Sequence, residues 1–460
     1  MSVEAVVTTG IYCRPGCPAR PNPGNVRRFG SAAAAEANGF RACLRCRPYR
    51  DDPVVDTAGA SEHVRRAVRL VLAGALDTAG EADLAARVGV ATQRLRDEFV
   101  ARLGVTPRRL ARSRRAHFAR RLLDDTDLGA AEIAVAAGYG SVRQFERAMV
   151  QTFRAPPGAL RARRRAGDRL PAVDGLRLRL PFTPPFDHAA ALAYLRARAI
   201  RGVEQVAGDA YRRTVRVGGE PGVVEVVAGG PDHLVLRVDL RGRRGLAHVV
   251  ARVRRIFGLD VDPRPADAVL RADPIVGPPT RLRPGLRPPG AWDPFEVGVR
   301  AIVGQQVSVA GAGTIAARLV ERYGAPLPDR PADGLGALFP EPATLAGASM
   351  SGIGLTATRA SAVRAFAEAV DNGKLPLDGS VALDELVAAV CGIDGLGPWT
   401  AHYLAVRLGE PDAFPSGDLG LRRAVARRTG CVVGEAELAA RARAWRPWRA
   451  HAAAHLWVRG

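Results

Sequence analysis

From Ser61 to about Arg165, apolar residues recur at spacings of three and four, which predicts a helical unit with few strands. The pattern then changes. Leu176-Arg177-Leu178-Arg179-Leu180, Val215-Arg216-Val217 and Leu234-Val235-Leu236-Arg237-Val238 read as strands, most of them alternating apolar and polar positions. Helical stretches near 187–200 and 245–257 accompany them, so residues 172–280 read as an α+β unit. A Pro/Gly-rich passage runs from Asp262 to Pro294, and from Phe295 onward the pattern is helical to the end. Ahead of all this, residues 1–52 are loop-rich and cysteine-bearing. The run Arg161-Ala162-Arg163-Arg164-Arg165 leads through Gly167 and Pro171 into the α+β unit. It reads as a solvated linker that would also suit DNA phosphates. The expected fold is multidomain, mainly α with α+β parts, divided as 1–52, 61–165, 172–280 and 281–460.

Hydrophobic residues make up 47% of the 460, so each unit can bury a core and wholesale disorder is excluded. The formal net charge of +21 favours a polyanionic partner, because neutralising phosphates releases counterions. A basic ribosomal or membrane-surface protein would carry a similar excess. Nearly all of the positive charge is arginine, Lys374 being the only lysine, so amine chemistry has almost no side chain to use. No apolar run of about 18 residues occurs, and Met1 to Gly24 lacks the apolar core of a signal peptide. No membrane partner is therefore expected, and the chain reads as soluble, cytoplasmic and monomeric.

Four of the six cysteines form two close pairs, Cys13-x3-Cys17 and Cys43-x2-Cys46, which suits one tetrahedral Zn²⁺. So small a unit needs such a staple, and by spacing alone a purely structural zinc knuckle is the commoner outcome. The strings Thr8-Thr9-Gly10-Ile11-Tyr12-Cys13-Arg14-Pro15-Gly16-Cys17 and Gly39-Phe40-Arg41-Ala42-Cys43-Leu44-Arg45-Cys46 closely resemble the Ada-type methylphosphotriester zinc domain. The resemblance implies that Cys13 also accepts a methyl group from DNA. Methylating one of four thiolates would take the site from a formal charge of about −2 to about −1, which should strengthen DNA binding. Cys391 and Cys431 read as buried apolar residues.

Glu81 to Val90 reads as a helix running into a glycine turn, followed by a helix from Thr92 that carries Gln93, Arg94 and Arg96. The arrangement recurs at Ala131 to Tyr139 and Ser141 to Phe153, where Ser141 suits a helix cap and Arg143, Gln144 and Arg147 suit an outward face. Glycine turns between short helices also occur in plain bundles. The longer string Ile133-Ala134-x2-Ala137-Gly138-Tyr139-x-Ser141-x3-Phe145-x-Arg147, with Pro156-Pro157 after it, resembles the second half of an AraC-type DNA-binding domain. That resemblance covers roughly 61–165 and implies two recognition helices in successive major grooves, with Arg94, Arg143, Gln144 and Arg147 as DNA contacts.

In the helical rear, Gly395-Leu396-Gly397-Pro398-Trp399 combines a tight turn with a proline suited to open a helix. It fits an ordinary helix–helix turn or a backbone cradle for phosphate. Farther on, Pro415-Ser416-Gly417-Asp418 precedes another helix, where a helix cap is the commonest use of such an aspartate. Hairpin, Gly/Pro loop and aspartate in this order resemble the helix-hairpin-helix glycosylase superfamily. Pro184-Pro185-Phe186-Asp187, Arg300 to Ser308, Trp445-x2-Trp448 and His455-Leu456-Trp457 narrow the likeness to AlkA-type 3-methyladenine DNA glycosylases, over about 176–460.

That resemblance implies Asp418 as the catalytic carboxylate and Trp399, Tyr403, Trp457 and Tyr194 as the aromatic pocket for a flipped base. Gly395, Leu396, Gly397, Gln305 and Gln306 become DNA contacts, Gln306 standing where the family carries an apolar wedge. Each aromatic residue equally suits core packing. Trp399 occupies the position at which the strand-cleaving branch carries its Schiff-base lysine, which implies hydrolysis without strand cleavage. His451 and His455 lie one turn apart but show no nearby carboxylate in the sequence.

Together these readings predict a small zinc-bound domain, an AraC-type domain with two helix-turn-helix units, an α+β subdomain and an all-α glycosylase domain. Double-stranded DNA, alkylated and promoter, is the expected partner, with RNA polymerase as the partner of the regulatory half. A transcription factor whose rear half binds DNA or damaged bases without catalysis is the alternative.

Overall fold

The computed structural model describes residues 3–19, 21–51, 55, 57, 59–171, 175–328 and 334–458. The unit limits expected at 1, 52, 172 and 460 lie outside the described residues. The front unit is a four-stranded sheet of order β3-β1-β2-β4, with β1 Val3–Val6, β2 Ile11–Cys13, β3 Val26–Phe29 and β4 Arg41–Ala42. Strands of two to four residues are too short to show a period of two, so the sequence pattern does not reveal this sheet.

Two helix-turn-helix units follow. The helices Glu81–Arg87 and Thr92–Leu103 flank Gly89, and Ala130–Ala136 and Val142–Phe153 flank Gly138. The 19-residue helix Pro107–Asp125 joins the two units. Each second helix buries a stripe at spacing four: Leu95, Phe99 and Leu103 in one, Phe145, Met149 and Phe153 in the other. The opposite face exposes Arg94, Arg143, Gln144 and Arg147. The Ser141 hydroxyl caps its helix as expected, accepting from the Gln144 N–H at 3.2 Å.

The α+β unit is an antiparallel sheet of order β5-β9-β8-β7-β6, built from β5 Leu176–Pro181, β6 Glu204–Ala207, β7 Ala210–Val217, β8 Glu220–Ala228 and β9 His233–Leu240. Its register pairs Leu178 with Leu236 and Leu180 with Leu234, which puts the alternating leucines of both strands on the buried face. The helix His188–Arg198 packs beside it and carries Tyr194. Behind lies the helical domain, whose core stacks Phe295 on Phe366 at 5.8 Å.

These units share buried contacts. One hydrophobic cluster runs from Tyr12 and Tyr49 through Leu122, Ile133 and Phe145 to Leu178, Val224 and Phe257. An ion network lies over the same junction. Arg50 donates to Asp125 at 2.7 Å and to Asp168 at 2.9 Å, Arg47 also binds Asp168, and Arg179 on β5 reaches Asp125 at 2.8 Å. Three further contacts tie the first helix-turn-helix unit and the helix Glu62–Ala73 before it to the rear: Arg87–Asp378 at 2.6 Å, Arg69–Glu410 at 2.7 Å and Arg66 to the Ser380 carbonyl at 2.9 Å.

Three expectations are corrected. The Arg161–Arg165 run is not a solvated linker: Arg161 binds the Leu128 carbonyl, Arg164 pairs with Asp127 at 2.9 Å, and Arg165 reaches the Arg45 carbonyl at 3.0 Å. Cys391 is half-buried and Cys431 exposed, because one is the last residue of the helix Leu383–Cys391 and the other lies beyond the end of the helix Leu419–Thr429. His455 does have a carboxylate near it, Asp267 at 3.9 Å, supplied by a segment distant in sequence.

Asp125 is 2% exposed and answers two guanidiniums. Replacing it by alanine leaves Arg179 without a carboxylate and Arg50 with Asp168 and Asp124 alone, and Asp125→Ala should lose about 3 kcal/mol, read as a lowered urea midpoint.

Candidate functional site

The hairpin joins the helix Leu383–Cys391 to the helix Pro398–Arg407. Gly395 has φ 84°, and a Cβ there would lie 3.2 Å from the Ala362 Cβ, so both the turn and the packing require glycine. The Leu396 side chain is buried and anchors the turn in the core, which leaves only backbone at that position for a phosphate. Gln305 spends its side-chain amide inside the protein, donating to the Gly395 carbonyl and the Thr400 hydroxyl, both at 3.1 Å. It thereby ties the loop after Pro294–Val303 to the hairpin. Gln306, at the exposed apex of that loop, takes φ 55°, a left-handed conformation costly for a side chain with a Cβ and of the kind found where function demands strain.

Asp418 caps the helix Leu419–Thr429, its Oδ1 accepting from the Leu421 N–H at 2.9 Å. Two indoles complete its surroundings: the Trp399 Nε1–H donates to Oδ2 at 3.0 Å and the Trp457 Nε1–H to Oδ1 at 3.2 Å. Among the described residues no arginine pairs with it, so the carboxylate is oriented by neutral donors alone. Gly420 leaves its edge clear, since a Cβ there would sit 2.9 Å from Oδ1.

The expected aromatic residues come together around this carboxylate. Trp399 stacks on Tyr403 with centroids 5.6 Å apart and 18° between planes, Trp457 meets Tyr403 edge-on at 5.9 Å, and the Tyr194 hydroxyl lies 3.2 Å from that of Tyr403. All four are half-buried rather than sealed in a core. Sequence reading missed Arg407, which binds both tyrosine hydroxyls; its spacing of four from Tyr403 and eight from Trp399, one helix face, was the available signal. Lys374 stands exposed in the turn after the helix Ala357–Asp371.

At the front, the sulfurs of Cys13, Cys17, Cys43 and Cys46 lie within 4.8 Å of one another and all four residues are buried. Thiolates on a tetrahedral Zn²⁺ with bonds of about 2.3 Å stand about 3.8 Å apart, so the cluster fits zinc after a small contraction. The Arg14 N–H points at the Cys46 sulfur at 3.4 Å and the Arg45 N–H at the Cys43 sulfur at 3.3 Å, donors that stabilise thiolate over thiol. The hydrogen bond from Cys13, with those from Arg14 and the other thiols, holds Cys46 down to about 5 against the effect of burial. Cys13 itself is 4% exposed.

A carboxylate beside an aromatic pocket, next to a hairpin of the helix-hairpin-helix kind, defines the class: a base-excision DNA repair fold, here carrying a zinc-binding and helix-turn-helix front. Family models agree in order along the chain. The metal binding domain of Ada matches residues 2–49, a helix-turn-helix domain 84–163, the AlkA N-terminal domain 177–293, and the HhH-GPD superfamily of base excision DNA repair proteins 299–450. The chain is 38% identical over 99% of its length, and 92% of the relative's, to the probable bifunctional transcriptional activator/DNA repair enzyme AlkA of Mycobacterium tuberculosis, and it belongs to that family. It is also 34% identical to DNA-3-methyladenine glycosylase 2 of Escherichia coli, over 60% of this chain and 95% of that one. The 3-methyladenine DNA glycosylase of Archaeoglobus fulgidus shares the fold of the rear, with a TM-score of 0.54 at 21% identity over 61% of this chain and 96% of that one.

Elemental analysis of the purified chain should find one zinc per molecule, and Cys43→Ser should lower that content and make residues 1–52 sensitive to protease. A zinc-free wild type with an intact front unit would contradict the assignment.

Proposed function

We propose that this protein repairs alkylated DNA by hydrolysing the N-glycosidic bond of bases such as 3-methyladenine, and that its front half couples methylation sensing to transcription. The observation that carries the first part is Asp418, a carboxylate aimed by two indoles and paired with no arginine among the described residues.

An alkylated purine is cationic and leaves without much help from an acid. As the bond to the sugar breaks, positive charge develops on the deoxyribose, and a fixed carboxylate stabilises it and admits water. The purine first leaves the stack and enters the pocket of Trp399, Tyr403, Trp457 and Tyr194, whose faces attract an electron-poor ring. Gly395 and Gly397 offer backbone to a phosphate, and Gln306 enters the gap left by the flipped base. With Trp399 where a Schiff base would need lysine, the product is an abasic site on an unbroken strand.

Bound zinc would keep the four front sulfurs deprotonated at neutral pH. In the proposed transfer the Cys13 sulfur attacks the methyl carbon of a methylphosphotriester; the S–CH₃ bond forms, the O–CH₃ bond breaks, and the phosphodiester departs with the electron pair. Because Cys13 is nearly covered, contact with DNA must open that edge. Arg94, Arg143, Gln144 and Arg147 would then read promoter DNA, the protein acting as a monomer with RNA polymerase as the partner of the activator half.

Wild-type protein should release 3-methyladenine from alkylated duplex DNA, and Asp418→Asn should slow release at least about 100-fold while leaving affinity for undamaged duplex unchanged. Absence of release by wild type would sink the enzymatic reading. Borohydride should trap no lysine-linked adduct, and mass spectrometry after exposure to methylphosphotriester DNA should find one added methyl, on Cys13.

A further inference from the structure

Behind the aromatic pocket lies a buried guanidinium that the reaction above leaves without a task. Arg407 sits on the helix Pro398–Arg407, one turn beyond Tyr403 and two beyond Trp399. Its Nη1 donates to the hydroxyl oxygens of Tyr194 and Tyr403, at 3.0 Å each. Its Nε and Nη2 donate to the Gly290 carbonyl at 3.2 and 2.7 Å. Among the described residues no carboxylate pairs with it. Burying a charge against neutral acceptors alone is costly, and here the cost orients two phenols of one pocket.

The protons can be counted. The hydroxyls lie 3.2 Å apart, so one of their two protons bridges them. Both oxygens also accept from Arg407, and a single O–H remains without a partner among the described residues. Burial, more than any neighbour, pushes Tyr194 up. Burial would raise Tyr403 as well, but Arg407, Arg198, the bond from Tyr194 and Arg300 outweigh it and hold Tyr403 at about 8. The Tyr403 ring touches both indoles that bind Asp418, so the free O–H is assigned to Tyr403 and the bridging one to Tyr194. The other charges around the pair are accounted for: Arg198 lies 3.9 Å over the Tyr194 ring, Arg300 is paired with Glu204 at 2.7 Å and Glu296 at 3.0 Å, and Asp418 is bonded to the two indoles that touch Tyr403.

We propose that Arg407 is a positioning residue that orients the Tyr194–Tyr403 pair so that Tyr403 presents one hydrogen-bond donor to an acceptor atom of the purine being excised. The inference rests on the glycosylase reading above. It adds to the pocket a polar handle that the stacked rings lack, and it makes base release depend on the neutral form of Tyr403. That form prevails below about 8 and is lost above it.

The test is single-turnover release of 3-methyladenine by the full chain across neutral and alkaline pH, paired with ultraviolet difference titration of tyrosinate. Wild type should slow as pH rises through about 8, with one tyrosine ionising there. Tyr403→Phe should remove both the alkaline limb and that tyrosine, and run about tenfold slower at neutral pH. Arg407→Met should show a similar loss, with the limb moved toward the ordinary phenol value of about 10. Arg407→Lys, which keeps the charge, should recover part of the rate and of the low midpoint. Wild type that releases base with no limb near 8, or an Arg407→Met limb that does not move, overturns the inference alone. Wild type releasing no base at any pH overturns the glycosylase reading and this inference with it.

Discussion

The Asp418 carboxylate accepts from two indole N–H groups and one helix-terminal amide, and among the described residues none of the chain's abundant arginines neutralises it. Much of the rear half serves that arrangement. The hairpin fixes the start of the helix that carries Trp399; the last helix brings Trp457; Gly420 keeps the approach open; and Gln305 ties the Gln306 loop to the same hairpin. A carboxylate held by neutral donors is oriented without being quenched, which is the condition for stabilising a positive charge that appears only as a bond breaks.

The front half is bound to the rear by buried chemistry rather than by a tether. Arg47 and Arg50 lie one and four residues after Cys46, and they meet Asp125 of the long helix, Asp168 and Arg179 of the rear sheet in one network. The four sulfurs thus stand a few residues from a junction shared by three units.

Chemistry that repeats locally was legible in the sequence. The cysteine pairs, the glycine turns, the Ser141 cap and the leucine alternation of β5 and β9 each follow from residues within one turn or strand, and each is found where expected. What the sequence hid depends on distant partners. The Arg161–Arg165 run looked solvated because its carbonyl acceptors lie about 30 to 120 residues away, and Asp267 beside His455 is separated from it by most of the helical domain. The strands of the front unit were too short to show a period. At the site itself, position suggested stacking for Trp399 and Trp457, whereas their hydrogen bonds to Asp418 required the fold.

The central claim is electrostatic: Asp418 acts on positive charge at the sugar. Its most direct test is the affinity for duplex DNA carrying a cationic pyrrolidine in place of one deoxyribose, compared with its neutral tetrahydrofuran counterpart. Wild type should prefer the cation by at least about 100-fold, and Asp418→Asn should lose that preference. Equal affinity of wild type for the two DNAs would contradict the account.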